Sequence, residues 1–126
     1  MNTKKLLDKF GETLMKEVRD YAIPHWDSVI GGKTQTTEAK IIQDNLSKMK
    51  KEDIEIIINI IPKIVDTTLF YFLRMIEEDD GFDLVADAEN GDKVSLREES
   101  WGLAGELYNE EGWIAKYSKE RYEEIY

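Results

Sequence analysis

Leu6, Leu7, Phe10, Leu14, Val18 and Ala22 recur at spacings of three and four residues, joined by Met15 and Tyr21. They predict one apolar stripe on a helix from about Thr3 to Tyr21, which Asn2 or Thr3 can cap. Pro24 disfavours helical geometry at Ile23, so this helix is expected to stop there, with another turn or two over His25 to Ile30 before Gly31 and Gly32. Thr37 then suits an N-cap, and Ile42, Leu46 and Met49 mark a second helix. Ile54, Ile57, Ile58, Ile61, Ile64, Val65, Leu69, Phe72, Leu73 and Ile76 define a third, kinked where Pro62 removes the amide bond to the Ile58 carbonyl. Its polar residues occupy a narrow stripe, so most of its circumference requires cover from other elements or from a second subunit.

Beyond Gly81 the period changes to two. Phe82, Leu84 and Ala86 alternate with Asp83, Val85 and Asp87, and after Asn90-Gly91 the alternation resumes at Val94 and Leu96. The hairpin spans about 82–97. A three-residue loop of Glu89, Asn90 and Gly91 pairs Ala86 with Val94, Leu84 with Leu96, Asp87 with Lys93 and Asp83 with Arg97, with Gly91 left-handed. A two-residue turn would mix the faces. Ser100 can then cap a short helix with Trp101, Ala104, Leu107 and Tyr108 on one face. Trp113, Ile114, Tyr117, Arg121, Tyr122 and Ile125 extend the helical spacing into a last short helix or an irregular tail. The expected fold is α+β: a single helix-rich domain over 1–126, with three N-terminal helices, one β-hairpin and one or two short C-terminal helices.

Composition narrows the chemistry. The chain has 126 residues, 41% of them hydrophobic, enough for a self-sufficient core. The absence of cysteine excludes disulfides and thiolate chemistry and fits a cytoplasmic setting. No continuous apolar N-terminal core marks a signal peptide, and the charges and proline in residues 54–76 predict a buried helix in place of a membrane span. Residues 77–126 carry 16 acidic against 5 basic side chains, a net of −11, whereas residues 1–76 are nearly balanced. Such a field disfavours nucleic acid and anionic membrane and favours a basic protein partner or divalent cations.

Catalytic sets are hard to assemble from these residues. Gly32-Lys33-Thr34 ends like a phosphate-binding loop, but Asp27 stands where the first glycine belongs and no strand precedes it. The single histidine, His25, reads as structural. Asp79, Asp80, Asp83 and Asp87 offer hard oxygen ligands, yet two strand positions four residues apart lie about 13 Å from each other. No cofactor or metal is assigned. What remains is Glu98 to Ser118, where aromatics interleave with acids as they do at protein interfaces. Trp101, Leu107, Trp113 and Ile114 are expected to cover the hairpin and core helix, leaving Glu106, Tyr108, Glu110, Glu111 and Tyr117 as candidate partner-binding residues.

The order IIPKIVDTTL (60–69), acidic hairpin, GLAGELYNEEGWIAKYS (102–118) resembles a group of small bacterial proteins of the size and charge found among immunity proteins of toxin systems. The resemblance covers roughly residues 45–122 and implies no catalytic residue. The acidic, aromatic surface of residues 77–126 itself points to a non-enzymatic binding protein that blocks a basic partner such as a nuclease toxin or another nucleic-acid-binding protein. Two other readings are a small metal-dependent hydrolase using C-terminal carboxylates and a homo-oligomer joined through helix 54–76.

Overall fold

In the computed structural model, which describes residues 2–124, residues 3–30 form one uninterrupted helical rod. It comprises α1 (Thr3–Leu14), a π-helical turn (Met15–Arg19) and α2 (Asp20–Ile30). Asn2 caps it, its side chain accepting from the Lys4 amide at 3.1 Å. The expected stop before Pro24 does not occur. A helical proline strikes the carbonyl four residues back, here that of Asp20. Asp20 has ψ −6° in place of the usual helical value near −42°, which swings this carbonyl aside. The π turn, closed by the Asp20 amide on the Met15 carbonyl, also inserts an extra residue. The buried face therefore runs Leu7, Gly11, Met15, Arg19 and Ile23, while Val18, expected on the apolar stripe, is 42% exposed.

Helix α3 (Thr37–Leu46) starts one residue earlier than expected, because Thr36 is the cap and accepts from the Ala39 amide at 3.1 Å. Gln43 holds it to the end of α2 by donating to the Val29 and Thr34 carbonyls. Helix α4 (Lys51–Glu78) runs 28 residues, continuing through the buried Pro62. The Ile58 carbonyl, which the proline leaves without its helical donor, accepts instead from the Arg121 guanidinium at 2.8 Å.

Strands β1 (Val85–Asp87) and β2 (Lys93–Ser95) form the hairpin in the expected register, with Ala86 opposite Val94 and Asp87 opposite and ion-paired with Lys93. Gly91 takes φ +90° in the loop, and the Leu96 amide donates to the Leu84 carbonyl. The ladder is shorter than 82–97 because Ser95 accepts from the Glu98 amide and starts α5 (Leu96–Glu99). Asp83 meets the Ser95 hydroxyl instead of Arg97. Arg97 turns back to the end of α4, where its guanidinium donates to the Ile76, Asp79 and Phe82 carbonyls.

The helix expected from Ser100 is a 3-10 turn (Ala104–Leu107), followed by α6 (Trp113–Tyr117) and a non-helical tail to residue 124. Ser100 instead closes a local turn, accepting from the Gly102 amide and donating to Glu106. That turn throws Trp101 into solvent, fully exposed, so it covers nothing. Leu107, Trp113 and Ile114 do enter the core, with Leu7, Met15, Leu69, Leu73, Val94 and Leu103. The expectation for Ile125 lies outside the described residues.

Trp113 is fully buried and packs edge-on to Phe10, ring centroids 5.7 Å apart. A Cβ on Gly11 would stand 2.3 Å from its indole. Gly11→Ala should therefore destabilise the fold by about 1–3 kcal/mol through overpacking, although alanine is the better helix former. Urea unfolding is the measurement, and the penalty should shrink in a Trp113→Leu background.

Candidate interaction surfaces

The tail that carries the last acidic residues is fixed by two arginines. Arg19, fully buried by the turn of the π-helix, forms a two-point contact with Asp66 of α4 at 2.7 and 3.2 Å. It also donates to Ser118 Oγ and to the carbonyls of Glu120 and Arg121, and it stacks on the Tyr122 ring at 5.6 Å. Asp20 accepts from Ser118 Oγ and the Lys119 amide. Arg121 completes the clasp with a two-point contact to Asp27 of α2, which raises its pKa, and with its bond to Ile58. Opposed charges sequestered with their hydrogen bonds satisfied are costly to separate, so the tail is a built part of the surface.

This tail borders the five residues singled out from the sequence, which the structure divides. Glu110 and Glu111 are exposed and, among the described residues, make no ion pair. They lie in a tight turn. Asn109 takes φ 77°, the Gly112 amide donates to the Asn109 carbonyl, and a Cβ at Gly112 would stand 2.2 Å from the Tyr108 carbonyl oxygen. The Asn109 amide donates to the Glu124 carboxylate, tying the turn to the tail. Glu106 is half-buried against Ser100, Tyr117 packs on the core under Lys116, and Tyr108 packs on Phe70 at 6.0 Å. Burial first, and then the Asp66 and Glu124 charges, push the Tyr108 phenol above its ordinary pKa. The structure thus makes Glu110 and Glu111 the accessible pair and commits Tyr108 and Tyr117 largely to packing.

A second surface was only half legible in the sequence. Helix α4 is covered along Ile61, Pro62, Asp66, Leu69, Leu73 and Ile76, and its other side is open. Ile56, Ile60, Ile64, Tyr71, Phe72 and Met75 are each 43–60% exposed. Beside them an apolar groove of about 370 Å³ is lined by Trp26 and Ile30 of α2, Ile42 and Leu46 of α3, and Ile57, Ile61, Ile64 and Val65 of α4. Of the cover expected from other elements or a second subunit, the described residues of the chain supply one side of the helix. The signal was the narrowness of the polar stripe, but which apolar residues stay open depends on where α2, α3 and the C-terminal half pack. By length and composition α4 is also the one helix among the described residues able to cross a membrane.

The hydrolase reading finds no assembled site. Among the described residues no three His, Asp or Glu side chains converge as metal ligands. Asp79 accepts from the Gly81 amide, Asp83 from the Leu84 amide, and Asp87 pairs with Lys93. His25 is exposed and rests edge-on against Trp26.

Arg19→Met should cost about 3–5 kcal/mol because it strands Asp66, and trypsin should cleave faster after Lys119 and Arg121; adding Asp66→Leu should restore part of the stability. In a double-mutant cycle, Arg121→Ala should cost less in a Pro62→Ala background, where the alanine supplies the missing amide to the Ile58 carbonyl, with a coupling of about 0.5–2 kcal/mol. Since the folded-state pKa of Tyr108 exceeds its unfolded value of 10.0, the folded chain keeps a proton that the unfolded chain releases. Its stabilisation is whole below pH 10 and is lost as pH rises through the folded value. Tyr108→Phe should accordingly lose stability less steeply than wild type in urea titrations from pH 9 to 11.

Comparison of the chain with protein-family models, with curated proteins and with solved structures finds no match, so the two surfaces themselves carry the functional reading.

Proposed function

We propose that this protein is a non-enzymatic binding protein whose acidic C-terminal half blocks a basic protein partner, in the manner of an immunity protein acting on a nuclease toxin or another nucleic-acid-binding protein. The observation that carries this reading is the turn of Glu110 and Glu111. Two adjacent carboxylates stand exposed and, among the described residues, free of ion pairs on a backbone fixed by Asn109, Gly112 and the Glu124 contact. Turns held this rigidly lose little entropy on docking, which favours affinity.

The surrounding charge supports the same reading. With a net of −11 over residues 77–126, a basic partner is drawn in by a long-range field, raising the association rate more than the final affinity. Nucleic acid and anionic lipid are repelled by that field. The cytoplasm, where nucleic-acid enzymes must be neutralised, suits a cysteine-free chain.

The test is binding to, and inhibition of, a panel of basic ribonucleases and deoxyribonucleases. At least one should be bound with an association rate that falls steeply with salt. Glu110→Lys/Glu111→Lys should weaken that complex roughly 10-fold or more, in keeping with the loss of a close charge pair at an interface, while leaving the urea midpoint unchanged. Equal affinity of the reversed variant, or no binding to any member, would end this reading.

A further inference from the structure

The open side of α4 has the pattern of a helix built to meet another helix. Ile57, Ile60, Ile64, Thr67 and Tyr71 recur at alternating steps of three and four, the spacing that keeps a seam facing a neighbouring helix. From Ile56 to Met75 the seam is about 28 Å long. Neither a polar cap nor any other element of the described chain covers it.

We infer that this seam is closed by a second copy of the same chain, with the two α4 helices antiparallel and the twofold axis passing beside Ile64. Three features of the helix select this occupant. First, the seam is symmetric about position 64: Ile57 and Tyr71 lie seven residues to either side, Ile60 and Thr68 four. An antiparallel partner therefore sets Ile64 on Ile64, Ile60 beside Thr68 and Ile57 on Tyr71. Ile64, at 60%, is among the most exposed of them, and the short Thr67 and Thr68 side chains let the helices approach.

Second, the charges at the two ends of the seam are complementary only in this direction. Asp53 lies at its start and Arg74 at its end. Antiparallel pairing brings Arg74 of each copy to the level of Asp53 of the other, whereas parallel pairing stacks arginine on arginine and acid on acid. The present partner of Arg74 is Glu78, an exposed contact of 3.1 Å that is cheap to exchange. Third, a twofold axis perpendicular to both helices keeps each lateral side of α4 on one side of the pair. Phe72 of the second copy then reaches the groove mouth at Ile57, where Trp26 and Ile30 complete an apolar wall.

The acidic turn lies on chain that packs against the opposite, covered side of α4. Pairing therefore leaves both copies of Glu110 and Glu111 accessible, and it stands or falls independently of the nuclease panel.

Light scattering over a concentration series of the full chain should give twice the mass of one chain, reverting to one chain mass with Ile64→Glu while circular dichroism and the urea midpoint stay unchanged. Because the chain has no cysteine, single cysteines report the pairing directly. Under mild oxidation Ile64→Cys should cross-link to itself. Ile57→Cys and Tyr71→Cys should not do so alone but should cross-link when mixed. A wild-type chain that stays monomeric throughout, an Ile64→Glu variant that stays dimeric, or self-linking at all three positions would overturn the antiparallel pairing. So would flotation of the wild-type chain with neutral phosphatidylcholine vesicles, abolished by the same Ile64→Glu change.

Discussion

Arg19 and Asp66 form the contact on which this structure is built. Neither charge tolerates burial alone, so the guanidinium must find its carboxylate, and doing so fixes the first helical rod against α4 at one level. The remaining guanidinium donors then dictate where the last residues run, since the Ser118 hydroxyl and the carbonyls of Glu120 and Arg121 satisfy them. A single side chain thus ties the two ends of the sequence to its middle. Geometry, more than net energy, is what such a buried pair specifies here: an apolar substitute would fill the volume but would not direct the tail.

The same requirement accounts for the irregular helix. A regular α-helix would place Val18 on the buried face, and the π turn replaces it with Arg19 and Asp20. The prolines fit the same scheme. Pro24 is accommodated by the flattened Asp20 peptide, and Pro62 frees the carbonyl that Arg121 uses. What looks in sequence like two helix breakers is, in the fold, one relieved clash and one new acceptor.

The two open surfaces are of opposite character. One side of α4 holds the C-terminal half in a core of Leu69, Leu73 and Ile76 against Leu103, Leu107 and Trp113, and that half presents the acids. The other side presents isoleucines. An acidic face gains from distance, acting through a field that guides a partner in; an apolar face acts only on contact, by excluding water. Their placement on different sides makes the two proposed contacts compatible in one small chain.

Local patterns in the sequence sufficed for the hairpin register, where alternation of Leu84, Ala86, Val94 and Leu96 with a left-handed Gly91 admits one pairing, and for the existence of the long α4. They sufficed also for the burial of Leu107, Trp113 and Ile114. Arg19 as the centre of the fold, the passage of the helix through Pro24, the exposure of Trp101 and the open side of α4 were decided only in three dimensions. The reason is physical: periodicity reports which residues share a face, but whether that face is covered, and whether a charge on it is paired, depends on partners 47 to 102 residues away along the chain.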